Sequence, residues 1–173
     1  MLKLQAFTSE PPKDALSLLQ ALGTGEAGFG GTQFGSGEMT LDAYLKHTAG
    51  EVHRENLAAD RVPQTTFWIL EQDRAVGLLR MRHELNAATR IQGGHIGYYI
   101  RPDARQRGLA TQALGLALQE IEALGVRRVM LTTNPSNLGS IRVIEENGGQ
   151  LRAQIPTEDG QDTINQYWIE LKP

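Results

Sequence analysis

The chain has 173 residues, of which 40% are hydrophobic and 21% charged, with no cysteine and a formal net charge of −3. Length and apolar content suit one domain, residues 1–173, with a full-sized core, and argue against extended disorder. An acidic balance, with a sequence pI near 5.8, excludes the basic footprint of a nucleic-acid binder, and the missing cysteines exclude disulfides, thiolate metal sites and cysteine nucleophiles.

The opening Met1–Phe7 is too short, and too polar afterwards, for a signal peptide, and no apolar run reaches membrane-spanning length. A cytoplasmic protein without nucleic-acid or membrane partners is therefore expected. His47, His53, His83 and His95 show no metal-ligand spacing, so no metal is expected.

In chain order, the alternation Leu2, Leu4, Ala6 predicts a short strand, and Pro11-Pro12 starts a helix with Leu16, Leu18, Leu19 and Leu22 as its apolar face. Gly23 to Gly37 holds seven glycines together with Phe29 and Phe34. It reads as a flexible loop, either a disordered surface loop or a lid over substrate, and the aromatic pair favours the lid. Thr40 is the expected N-cap of a second helix carrying Leu41, Tyr44 and Leu45. Thr65–Leu70 and Ala75–Arg82 read as a hairpin around Gln72-Asp73-Arg74. Asn86–Gly94 reads as a loop, and His95–Ile100 as a strand stopped by Pro102. A helix follows from about Leu109 to Leu124, with Ala110, Ala113, Leu114, Ala117, Ile121 and Leu124 on one face and Gly125 as its stop. Arg128–Thr132 is a strand and Asn137–Glu146 a helix. Two strands around Glu158-Asp159-Gly160-Gln161 close the chain. Helices alternating with strands in the middle and hairpins outside indicate an α/β (α+β) fold with one mixed sheet.

The chemistry concentrates between Ile100 and Thr111. A strand ends at Ile100-Arg101-Pro102, the basic loop Arg105-Gln106-Arg107-Gly108 follows, and a helix begins at once with Leu109-Ala110-Thr111. Such a junction points unpaired backbone N–H groups and the positive end of a helix dipole at one spot, which suits a phosphate or pyrophosphate. Gly108 and the small Ala110 allow close approach, and Arg105 and Arg107 add positive charge. An isolated glycine before a helix is equally an ordinary βα turn. The P-loop and dinucleotide spacings are both absent.

Arg105-x-x-Gly108-x-Ala110 resembles the Arg/Gln-x-x-Gly-x-Gly/Ala signature of the GNAT acetyltransferase superfamily. Tyr98-Tyr99-Ile100-Arg101-Pro102 is similar to that family's fourth strand, and Asn137-Leu138-Gly139-Ser140 with Glu145-Glu146-Asn147-Gly148 to its later Asn-x-x-Ala/Ser and Glu-x-x-Gly segment. The likeness runs in order from Ala75 to Gly149. Val62–Trp68 and Gly93–Tyr98 resemble a bacterial branch of predicted acetyltransferases.

The resemblance implies a twisted, mostly antiparallel sheet of about seven strands with helices on both faces. Its fourth and fifth strands splay apart, with a β-bulge expected at Gly97. Pantetheine would pair with backbone near Tyr98 and Ile100, and the pyrophosphate would sit on Arg105 to Thr111. Asn137 and Ser140 either touch the cofactor or only cap their helix. The implied reaction is transfer of acetyl from acetyl-coenzyme A to a primary amine of a small molecule or peptide, by direct attack on the thioester and without a metal. The resemblance leaves a homodimer open, since relatives are often dimers, and nothing in the sequence establishes one.

Many members place a tyrosine acid seven residues after the Asn, where this chain has Ile144. Tyr98, Tyr99 and Tyr167 are unranked replacements. Glu84 and His95 are the candidate bases, with His83 a weaker one; for Glu84 and His95 taken singly, a solvated strand-end residue is the first reading. The missing tyrosine keeps a second reading open, a non-catalytic acyl-coenzyme A-binding or sensing domain. A third, a module for another phosphorylated ligand, is disfavoured by the full strand–loop–helix order.

Overall fold

The structure is a computed structural model that describes residues 1–157 and 159–171. The elements run β1 (Leu2–Ala6), α1 (Ala15–Leu22), β2 (Gly25–Glu26), β3 (Phe29–Gly30), α2 (Leu41–Gly50), β4 (Gln64–Glu71), β5 (Arg74–Arg82), α3 (Ala87–Ile91), β6 (Ile96–Ile100), α4 (Leu109–Ala123), β7 (Arg128–Thr133), α5 (Leu138–Glu146), β8 (Gln150–Pro156) and β9 (Thr163–Glu170). One sheet has the order β1-β4-β5-β6, another β7-β9-β8, and β2 pairs only with β3. Every laddered pair is antiparallel. The expected seven strands are thus present as a four and a three, and the extra two-residue strands fold the glycine-rich segment into a small hairpin. The turn expected at 158–161 begins on Glu158, which lies outside the described residues.

Two apolar clusters sandwich the four-stranded sheet, and the first of them extends onto β7 and β9. On one face α4 and α5 bury Leu114, Ala117, Ile121 and Ile144 against Leu79, Ile96, Val129 and Ile169. On the other, α1 and α2 bury Leu18, Leu19, Tyr44 and Leu45 against Trp68, Leu78 and Tyr99. Phe7 stacks on Trp68 with ring centroids 4.1 Å apart. Helices therefore cover both faces, as the family resemblance implies.

Local signals decide most element ends. Thr40 caps α2, its hydroxyl accepting from Ala43 N–H at 3.3 Å, and Asn137 caps α5 by accepting from Ser140 N–H at 3.1 Å. Four expectations need correction. The buried face of α1 uses Ala15 in place of Leu16, which is exposed, and Leu124 is exposed beyond the end of α4. Asn86–Gly94 contains α3, nucleated by a reciprocal capping box between Asn86 and Thr89. Gly97 carries no bulge: β5 and β6 keep one register from Gly77↔Ile100 to Met81↔Ile96, and the irregularity falls at Ile69/Leu70 in β4. No helix among the described residues is long and apolar enough to cross a membrane.

Candidate active site

The two larger sheets touch at one point and then part. His95 N–H donates to the Met130 carbonyl at 2.7 Å, the His95 ring Nδ1 accepts from Met130 N–H at 2.9 Å, and Gly93 N–H donates to Thr132 Oγ1 at 2.9 Å. Gly94, at φ +62, allows this approach, since a Cβ there would stand 2.4 Å from the Met130 carbonyl oxygen. Beyond the contact β6 and β7 share no ladder. A cleft of about 1330 Å³ opens between them, walled by β6, β7, α5, the loop before α4 and the β2–β3 hairpin.

Register settles which backbone groups face that cleft. Arg82 N–H donates to His95 C=O, and Arg101 N–H to Val76 C=O. In an antiparallel ladder bonded pairs alternate, so residues 95, 97, 99 and 101 bond to β5, whereas Ile96, Tyr98 and Ile100 aim theirs at the cleft. Arg105 Nε occupies the Ile100 carbonyl at 2.8 Å. Tyr98 N–H and C=O and Ile100 N–H remain without a backbone partner among the described residues.

That open edge leads to the start of α4. Gln106 and Gly108 both have positive φ, 60° and 71°, which curls the loop into a concave run of N–H groups. The first helical hydrogen bond runs from Gln112 N–H to Gly108 C=O at 3.1 Å, leaving Leu109, Ala110 and Thr111 N–H as orphan donors. Both arginines of the loop are engaged elsewhere. Arg105 forks onto both Glu26 carboxylate oxygens at 2.8 Å each, and Arg107 reaches Glu71 at 2.7 Å. The Arg105 hydrogen bonds hold the Glu26 carboxyl below its usual range. Attraction for an anion therefore rests on backbone donors and the helix dipole more than on the two side chains. Thr111 Oγ1 donates to Glu146 at 2.9 Å and ties the start of α4 to the end of α5.

The glycine-rich segment is an ordered roof. Arg80 donates to the carbonyls of Gly30 and Gly31 at 3.0 and 3.1 Å and lies 4.4 Å over the Phe29 ring. Phe29 packs above Gly97. Arg105, through Glu26, thus fastens the roof to the loop that precedes α4.

The three tyrosines fall in different places. The Tyr98 phenol crosses the cleft to α5, 2.8 Å from Ser140 Oγ, and burial pushes it up to about 12. Tyr99 points to the opposite face, with Phe29 and Arg105 beside its ring. Tyr167 is buried in the core. Ile144 is buried at the floor of the cleft.

Neither candidate base is brought to the cleft. Glu84, exposed, pairs with Arg54. Glu84, His83 and His95 line a separate shallow groove with Arg128 and Trp168. His95 keeps its Nδ1 lone pair on Met130 N–H, which leaves the proton on Nε2. His83 faces Thr65 Oγ1 at 2.8 Å. Burial lowers His95 to about 4, assisted by Arg90 and Arg82. The folded value lies below the ordinary one, so the unfolded chain binds the extra proton. The contribution of His95 to stability is complete above about pH 6.5 and is lost as pH drops toward 4. At about 1.4 kcal/mol per pKa unit, the drop from 6.5 to about 4 amounts to roughly 3 kcal/mol. Urea midpoints are expected to fall across that window, and His95→Asn, which keeps an acceptor, should flatten the slope. An unchanged slope in His95→Asn would place the titrating group elsewhere.

Sequence reasoning missed the roof contacts and the cleft-lining Arg80 and Arg82. Their only sequence signal is two arginines at alternate positions at the end of a strand that is apolar from Ala75 to Leu79. Among the described residues no cluster of three or more His, Cys, Asp or Glu could hold a metal.

Residues 12–150 match the family model described as the acetyltransferase (GNAT) domain. Among solved structures, the fold is similar to the ribosomal alpha-N-protein acetyltransferase RimL in complex with coenzyme A, with TM-score 0.67 and 16% identity over 98% of this chain and 94% of that one. It is similar to yncA of Salmonella typhimurium with its cofactor acetyl-CoA, with TM-score 0.67 and 14% identity over 99% and 94%. It is also similar to the spermidine/spermine N-acetyltransferase SpeG of Vibrio cholerae, with TM-score 0.64 and 16% identity over 98% and 95%. No curated protein matches the chain in sequence.

Proposed function

Because the chain belongs to the GNAT acetyltransferase family, we propose that it transfers acetyl from acetyl-coenzyme A to a primary amine by direct attack on the thioester. One observation carries this reading: the unpaired edge of β6 at Tyr98 and Ile100 leads to the three orphan N–H groups of α4. Pantetheine lies along β6 as an added strand. The pyrophosphate rests on Gln106 to Thr111, with Arg105 and Arg107 as flanking charge. Asn137 and Ser140 serve first as cap and tyrosine partner, and they border the pantetheine. The solved relatives named for a protein α-amine and for polyamines support a small-molecule or peptide amine as acceptor. A cytoplasmic reaction is part of the proposal; among the described residues no helix is long and apolar enough to cross a membrane.

The acceptor enters beneath the roof. Its ammonium proton passes to water first, since Glu84 and His95 lie outside the cleft. The neutral nitrogen then forms the bond to the acetyl carbon, the C–S bond breaks, the nitrogen gives a second proton to water and the thiolate takes one up from water. Free N–H groups on the β6 edge stabilise the carbonyl oxygen as it gains charge. Tyr98 stays protonated throughout the working range and donates a hydrogen bond to the leaving sulfur. A thiol-release assay over a panel of amines tests this. Release with some amines supports the reading, whereas binding of acetyl-coenzyme A without release would return the sensing domain.

Pairing with Glu71 lowers the charge that Arg107 offers to phosphate. Glu71→Gln is expected to tighten acetyl-coenzyme A binding by roughly two- to fivefold at low salt, and the gain should fade as salt screens it. Calorimetric titration at two salt concentrations checks this, and weaker binding in the variant would contradict it.

A further inference from the structure

The acceptor face of the cleft holds a cation that no carboxylate contacts among the described residues. Arg80 and Arg82 stand two positions apart on β5, on one face of the sheet, across from Gly97 and His95. Arg80 spends both terminal nitrogens on the roof carbonyls. Arg82 makes one hydrogen bond, from Nη1 to the Gly94 carbonyl at 2.9 Å, so Nε and Nη2 are unused among the described residues. Arg54, Arg105 and Arg107 each hold a carboxylate, but no carboxylate lies within ion-pairing distance of Arg82 among the described residues. Glu51 acts on it only through space and accepts from Gln64 at 2.8 Å. Burial, with Arg80 and Arg61 nearby, pushes the Arg82 guanidinium below its ordinary value, yet arginine keeps its charge in proteins.

A half-buried guanidinium with free donors and no carboxylate in contact among the described residues complements a planar anion better than a polyamine, which it would repel. We propose that Arg82 is the specificity residue of the acceptor site, and that the acceptor amine carries a carboxylate a few bonds from its nitrogen, as an amino acid does. The spacing agrees. His95, the cross-strand partner of Arg82, lies two positions from Gly97, roughly 7 Å along the strand from where the open edge begins. This inference rests on acetyl transfer to an amine and adds the anionic group that the acceptor must bear.

The test compares the common amino acids with their amides in the thiol-release assay, using the wild type, Arg82→Gln and Arg82→Lys. Circular dichroism and coenzyme A affinity serve as controls for folding. In the wild type, kcat/KM for acids should exceed that for amides by roughly 10- to 100-fold. In Arg82→Gln the preference should collapse through KM, with coenzyme A affinity unchanged, and Arg82→Lys should restore part of it. Amides used as well as acids, or a preference that survives Arg82→Gln, would overturn the inference. If no acceptor releases thiol, thermal shifts of the coenzyme A-bound protein separate the two readings. Stabilisation by acids and not amides, lost in Arg82→Gln, upholds the carboxylate site while the reaction fails; no such difference overturns the site as well.

Discussion

Gly108→Glu is expected to weaken acetyl-coenzyme A binding by at least roughly 100-fold while the protein stays folded. Gly108 caps α4 in the left-handed region, at φ +71, where a side chain costs about 1–2 kcal/mol. A Cβ there would meet nothing closer than Gln112 Nε2 at 4.0 Å, so the fold has room for a side chain. That room is the space assigned to the pyrophosphate. A carboxylate in it would both block the orphan N–H groups of Leu109 to Thr111 and repel the phosphates. Gly108→Ala should lose less, because it brings the strain and a methyl group without the charge. Calorimetric titration with a circular dichroism control decides the point, and a Kd for Gly108→Glu within a few-fold of the wild type would refute the cradle.

Tyr98→Phe is expected to lower kcat by roughly 100-fold and to leave the affinity for acetyl-coenzyme A nearly unchanged. Ile144 supplies no proton or hydrogen bond at the floor of the cleft. Of the three tyrosines proposed to substitute, only Tyr98 sends its hydroxyl across the cleft to α5. With the phenol at about 12, the role proposed for the residue is that of a hydrogen-bond donor to sulfur, not of an acid that titrates near neutrality. The kcat of the wild type should accordingly show no limb from a tyrosine below pH 9. Unchanged turnover in Tyr98→Phe would leave the thiolate to depart unaided. A fall shared by Tyr99→Phe would point to packing.

The parts of the fold legible in the sequence are those decided by neighbours in the chain. Thr40 and Asn137 cap helices because a short polar side chain reaches an N–H three residues on, and the strand–loop–helix at Ile100 to Thr111 follows from Pro102, Gly108 and a helical apolar stripe. What escaped depends on distant partners. Gly23 to Gly37 looks flexible by composition, yet Arg80 and Arg105 pin it from far along the chain. A strand-end histidine looks solvated until β7 approaches and takes its Nδ1. The Arg105 side chain looks free for phosphate until the roof supplies Glu26. The site's backbone was therefore readable from local signals, while the allegiance of its charged side chains was not.

Backbone amide chemical shifts recorded during titration with coenzyme A test the central assignment most directly. The largest changes are predicted at Gln106, Gly108, Leu109, Ala110 and Thr111, with a second set at Tyr98 and Ile100, and little change at Glu84 or His83. Saturable binding that leaves those amides unmoved, or the absence of binding, would contradict a coenzyme A site between β6 and β7.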